Sequence, residues 1–325
     1  MAKTSKRGPA HRTPRQKSRP SGSSTQAMAK ASGRNPVLWG SVLVALVLIV
    51  GTIIFFMQRD DGSTKADDSG DRVIATLKTP DVHSLAIDPD DADHVFFGSH
   101  AGIMESRDGG FTWTEGALKG ADAMTLAVSP KDSQTLYAAG HDVFLVSRDA
   151  GQSWQPVQHD LPGTDIHAFA QNPTATKQLV AFVVGNGVFT SIDGGATWSS
   201  LTTQPPGGIP IALAANGELL FAATAGGLSL SRDWGETWEE LPAQPASGVI
   251  SLVAPSGDPN LLYAGTSDGV AKSIDGGKTW TALGPKGIPV LALAATADAQ
   301  RVLFVSQVGG VYRSDDGGST WRAPQ

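Results

Sequence analysis

One octapeptide pattern, Ser-x-Asp-x-Gly-x-Thr/Ser-Trp, recurs six times in this 325-residue chain. The copies are SRDGGFTW (106–113), SRDAGQSW (147–154), SIDGGATW (191–198), SRDWGETW (231–238), SIDGGKTW (273–280) and SDDGGSTW (314–321). Their first residues lie 41, 44, 40, 42 and 41 positions apart. Self-similarity at such a period is the mark of a repeat architecture. Each unit carries three further apolar stretches. HSLAI, MTLAV, HAFAQ, IALAA, ISLVA and LALAA open the units. HVFFGS, TLYAAG, QLVAFVV, LLFAAT, LLYAGT and VLFVSQ follow, and GIMES, VFLVS, GVFTS, GLSLS, GVAKS and GVYRS run into the boxes. With a fourth strand starting at the box Trp, four short strands in about 42 residues predict a β-propeller blade. Residues 72–325 therefore read as an all-β, six-bladed propeller.

The box belongs on the turn between strands three and four. The carboxylates of Asp108, Asp149, Asp193, Asp233, Asp275 and Asp316 suit the turn's backbone N–H groups, and the glycines supply positive φ. Trp113, Trp154, Trp198, Trp238, Trp280 and Trp321 are expected to bury apolar faces between blades. The last box leaves almost no chain for a fourth strand, whereas RVIATLK (72–78) stands before the first unit with no blade of its own. It is expected to pair with the last blade and close the ring, removing an open edge.

The repeated box resembles that of the Asp-box, or BNR-repeat, family, whose members include sialidases, the sortilin ectodomain, xyloglucan-degrading glycosidases and a photosystem II assembly factor. The resemblance covers 72–325. It implies the fold, and leaves function open because enzymes and non-enzymes share the box.

The region before the propeller reads differently. Residues 1–35 hold nine of the 25 Lys and Arg and no acid, which predicts a disordered, cytoplasmic basic tail. Residues 36–57 carry no charge, and VLWGSVLVALVLIVGTIIFFM (37–57) is long enough for a single transmembrane helix. A cleaved leader would have an apolar region of about 7–15 residues and a small-residue cleavage site, which MQRDDGST lacks. Residues 58–71 read as an acidic linker to a propeller outside the cell membrane. All 31 acids fall after the apolar run and face only sixteen bases, so the acidic body is not expected to bind nucleic acid. The absence of Cys excludes disulfides and thiolate metal sites, and in an exported domain points to a bacterial envelope.

Sialidase chemistry, which the resemblance invites, needs three Arg about a carboxylate, a Tyr–Glu nucleophile pair, an acid/base Asp and a Phe/Tyr-Arg-Ile-Pro motif. That motif is absent. Of the body's arginines, Arg107, Arg148 and Arg232 sit on box turns, opposite the usual ligand face, and Arg72, Arg301, Arg313 and Arg322 fall near strand edges or chain ends. Tyr137, Tyr263 and Tyr312 lie in apolar strand patterns. A two-carboxylate glycoside hydrolase remains as an alternative, although the units lack the long loops that build a cleft.

One column of the aligned units is polar in half the ring. The first strands of units one to three begin Asp81-Val82-His83, Asp122-Ala123-Met124 and Asp165-Ile166-His167; units four to six have Ile209-Pro210-Ile211, Gly248-Val249-Ile250 and Pro289-Val290-Leu291 there. Residues i and i+2 of a strand share a face, so each Asp and its His or Met are expected to point together. His100 and His141 occupy the turns between strands two and three, and His159 a blade connection, on the same side of the ring, with Met104 near and only His94 of the body histidines elsewhere. His83, His100, Met124, His141 and His167 are thus candidate ligands, for copper if thioether joins imidazole and for zinc if carboxylate does. Asp81, Asp122 and Asp165 are the candidate catalytic carboxylates. The plainer alternative is that these residues cap strand ends at the channel mouth. The expected activity is binding or scaffolding of a protein or glycan ligand on this face, rather than catalysis.

Overall fold

A computed structural model describes residues 73–79 and 81–321. The expected tail (1–35), membrane span (36–57) and linker (58–71) lie outside the described residues. Among the described residues there is no helix, and so none long and apolar enough to cross a membrane.

The strands form six four-stranded antiparallel sheets. Blade one is Ser84–Ile87, Val95–Ser99, Gly102–Ser106 and Thr114–Lys119. In blades two to five the first strands are Thr125–Ser129, Ile166–Gln171, Pro210–Asn216 and Val249–Val253. Blade six consists of Val290–Ala295, Val302–Ser306 and Gly310–Ser314, and its fourth strand is Ala75–Thr76 from before blade one. Ala75 pairs with Val311 and Thr76 with Gly310. The expected closure of the ring is therefore observed, and the first strand of blade six contacts that of blade one. The first strands line the centre, each against the next. One expectation on boundaries is corrected: in blades one to five the fourth strands begin one residue after the box Trp, and in blades two to four they are only two residues long.

The second strands show why the sequence carries unbroken apolar runs. Val95–Ser99, Leu179–Val183, Leu262–Thr266 and Val302–Ser306 are buried at every residue. Successive side chains of a strand point to opposite faces, and here both faces meet another blade. Val95 and Phe97 enter the core shared with blade six, whereas Phe96 enters the core shared with blade two. In blade three, Leu179, Ala181 and Val183 face blade two, while Val180 and Phe182 face blade four. The apolar interior is thus six clusters, one at each interface, and each box Trp joins the cluster shared with the preceding blade.

The box turns repeat one hydrogen-bond set. The Ser Oγ donates to Asp Oδ1 at 2.7–2.8 Å in all six. The Thr or Ser two residues past the Gly donates through its hydroxyl to Asp Oδ2 at 2.6 Å. The fourth and fifth box residues have positive φ, and at the fourth position two are not glycine, Ala150 (φ 56°) and Trp234 (φ 55°). Accepting these N–H and O–H donors holds every box carboxyl below its ordinary value, down to about 2 for Asp233 and Asp275.

Candidate functional site

The polar column of blades one to three closes into a continuous arc. Asp81 Oδ2 accepts the backbone N–H of His100 at 2.6 Å, which ties the turn between strands two and three to the start of the first strand. The same oxygen lies 2.9 Å from His100 Nδ1 and 3.1 Å from His83 Nε2, and those two nitrogens are 3.2 Å apart. In blade two Asp122 Oδ2 accepts the backbone N–H of His141 at 3.2 Å and also hydrogen-bonds His141 Nδ1. Asp122 Oδ2 is 3.7 Å from His100 Nε2, so it stands between the two turn histidines. In blade three His167 Nε2 is 2.8 Å from Asp165 Oδ1 and 3.1 Å from His141 Nε2, and the remaining edge, His141 Nε2 to Asp165 Oδ1, is 3.7 Å.

The backbone adds to simple strand alternation in this convergence. His83 and Met124 precede the first paired residues of their strands. His167 lies inside its strand, at a break in register between Ile166 and Ala168. A bulge re-aims the side chain it carries, and this one turns His167 onto His141. Asp81 meets His83 and Asp165 meets His167, as the shared-face argument from residues i and i+2 expects.

Four of the five histidines expected on this face join the arc. His159 does not: its Nδ1 accepts the Leu161 N–H and its ring packs 5.6 Å from that of Phe144. Met104 packs against the core between blades six and one. Met124 stands half-buried in blade two where His83 and His167 stand in their blades, and the triads form from imidazole and carboxylate without it. His94 is buried elsewhere, between Asp88 Oδ2 (3.2 Å) and Glu105 Oε2 (3.4 Å).

Burial, with the neighbouring His100 imidazole next, lowers the pKa of His83; Asp81 opposes it. Burial likewise lowers that of His167, opposed by Asp165. A lowered pKa favours the neutral ring, whose unprotonated nitrogen can accept a proton or a cation. The carboxylates offered as catalytic are occupied by these contacts. Arg301 and Arg313 are committed to the seam between blades six and one, where Arg301 Nη1 donates to Asp93 Oδ1 and Arg313 Nη1 to the Gly109 carbonyl. Among the described residues, neither is free to bind a substrate carboxylate.

A family model described as photosynthesis system II assembly factor YCF48 matches residues 72–239, just over half of the chain. The chain belongs to this family. A model for the DUF6242 β-propeller domain matches 186–308. No curated protein matches. Among solved structures, YCF48 from Cyanidioschyzon merolae is 17% identical, with a TM-score of 0.51 over 78% of this chain and 87% of that one. The GH74 xyloglucanase of Xanthomonas campestris is 21% identical, with a TM-score of 0.51 over 75% of this chain but 46% of its own. The WD40 repeats of RRP9 are 15% identical, with a TM-score of 0.51 over 74% and 91%. The chain thus spans less than half the length of the GH74 enzyme, and these likenesses establish the fold alone. The presence of both enzymes and non-enzymes among the propellers it resembles leaves function to be decided at the site.

Proposed function

We propose that this protein is a scaffold of the bacterial cell envelope, anchored by residues 36–57 with its N-terminus in the cytoplasm and its propeller outside. It would hold a protein partner on the face that carries the arc. The uncharged 21-residue run behind nine bases supports the anchor and its orientation. The family's description as an assembly factor supports the scaffolding role; what carries over is the class of task, not the photosystem.

The observation that carries the reading is the division of one face. The polar arc of blades one to three continues into exposed apolar side chains in the other half: Ile209 (43% exposed) and Ile211 (39%) at the start of blade four, and Val308 (83%) in the turn between strands two and three of blade six. Apolar side chains beside polar anchors suit a protein surface. A buried oligosaccharide would need a walled cleft, which the short connections do not build.

The test is co-purification from detergent-solubilised native membranes, with bound proteins identified by mass spectrometry. A partner should bind the wild type and Ile274→Asp, which alters the opposite, box-turn face. It should be lost from the Ile211→Asp/Val308→Asp chain. A partner indifferent to that double substitution would remove the face from consideration. Hydrolysis of a glycan panel, abolished by Asp122→Asn, would replace scaffolding with the glycoside hydrolase alternative.

A further inference from the structure

We infer that the arc holds two divalent ions of the zinc class, one in each terminal triad: Asp81 Oδ2, His83 Nε2 and His100 Nδ1 at one end, and His141 Nε2, Asp165 Oδ1 and His167 Nε2 at the other. The inference concerns the propeller's own chemistry and stands whether or not a partner docks.

Geometry is the first argument. Zinc bonds to imidazole nitrogen and carboxylate oxygen are about 2.0–2.2 Å, so ligand atoms at the corners of a tetrahedron stand about 3.3 Å apart. The first triad has edges of 2.9, 3.1 and 3.2 Å. The second has edges of 2.8, 3.1 and 3.7 Å. Three atoms this close to one another are the base of such a tetrahedron, with the fourth corner left for water or a donor from outside.

Hydrogen bonding supplies the second argument. Asp165 Oδ1 is buried, with His167 Nε2 2.8 Å and His141 Nε2 3.7 Å away. The three atoms sit side by side, as ligands of one centre do. Asp81 Oδ1 and Asp122 Oδ1 are buried without a hydrogen-bond partner. Leaving such oxygens unsatisfied is costly, and a nearby cation offsets that cost.

Asp122 completes the arrangement from behind. His141 gives its Nδ1–H to Asp122, which leaves the Nε2 lone pair facing His167 and Asp165. His100 turns Nε2 toward the same carboxylate and Nδ1 toward the first triad. A carboxylate behind a ligating imidazole fixes its tautomer and raises its basicity. Asp122 is thus a positioning residue shared by both sites. The ligand set also chooses the ion. Two imidazoles and one carboxylate suit a borderline divalent metal, whereas calcium and magnesium prefer oxygen alone and copper(I) prefers sulfur.

The full-length chain, purified in detergent without a histidine tag, is stripped with a chelator, incubated with excess Zn²⁺, desalted and measured by mass spectrometry of the metal. Two ions per chain are expected. His83→Ile and His167→Ile should each retain one, and the double variant none. Isoleucine stands at this position in blades four and five, so the variants place a side chain that other blades accommodate; unchanged circular dichroism and melting in the absence of metal check their folding. Asp122→Asn should keep two ions at saturation but weaken both by about 10–100-fold. Co²⁺ in place of Zn²⁺ should give the strong visible absorption of a four-coordinate ion, lost from the double variant. Retention of fewer than two ions by the wild type, or of ions that survive in the double variant, overturns the assignment. So does a Zn²⁺-independent melting temperature in the wild type, because an ion bound only by the native state must raise it.

Discussion

Arg301 of blade six donates Nη1 to Asp93 Oδ1 of blade one at 2.5 Å, joining residues 208 positions apart. The guanidinium also donates Nε to Asp315 Oδ1 at 3.0 Å, and its side chain is only 17% exposed. It reinforces the seam closed by Ala75–Thr76. Because Asp93 itself is 55% exposed, Asp93→Ala should cost no more than about 1 kcal/mol. That corresponds to a fall of about 2–4 °C in melting temperature for a domain of this size. The difference between the two proteins should narrow in 1 M NaCl, where screening weakens exposed pairs.

The box Ser is expected to matter more than its size suggests. Ser191 is buried; its Oγ donates to Asp193 Oδ1 at 2.8 Å and accepts the buried Gly195 N–H at 2.9 Å. Ser191→Ala leaves that N–H without an acceptor, at a cost of about 1–3 kcal/mol. Chemical denaturation should show a lower midpoint with an unchanged slope.

Acid stability follows from the boxes. Their carboxyls have lower pKa values in the folded chain than the ordinary 3.8, reaching about 2 in Asp233 and Asp275. The unfolded state therefore binds more protons in this window, and stability falls as pH falls. The contribution of these groups should be fully present above about pH 4 and lost as pH drops through about 2. Melting temperatures recorded from pH 5 to pH 2 should decline mainly over the lower part of that range. A decline complete by pH 4 would contradict the assignment.

Two substitutions of glycine and alanine should act in opposite directions. A Cβ on Gly140 would stand 2.5 Å from the Asp122 carbonyl oxygen and 3.1 Å from its Cγ. Gly140→Ala should destabilise by about 1–3 kcal/mol and displace Asp122 from His141. Ala150 occupies the fourth box position at φ 56°, where blades one, three, five and six have glycine. Ala150→Gly relieves about 1–2 kcal/mol of left-handed strain, offset by about 0.5–1 kcal/mol of chain entropy. Its melting temperature should equal or exceed that of the wild type.

The boxes made the blade number legible in sequence because each is a local device, fastened by residues at most four apart. The closing strand was legible too, from a missing fourth strand at one end of the propeller and a surplus one at the other. The aligned column beginning at Asp81, Asp122 and Asp165 placed the polar half of the face. What the column could not carry was the register break that rotates His167, or the crossing of blade boundaries by which His100 and His141 each serve two carboxylates. Those contacts depend on the wedge angle between sheets, which no spacing within one repeat encodes. His159 and Met104 were misplaced for a related reason: position in a loop or strand fixes an approximate height, but apolar neighbours such as Phe144 decide which way a side chain turns.

The pairing of Ala75–Thr76 with Gly310 and Val311 sets an order on biosynthesis. The clasp of this ring leaves the ribosome before any blade, and its mate leaves after nearly all of them. The nascent chain must keep a two-residue strand unmated while five wedges assemble, and the circle can shut only after the sixth has been made.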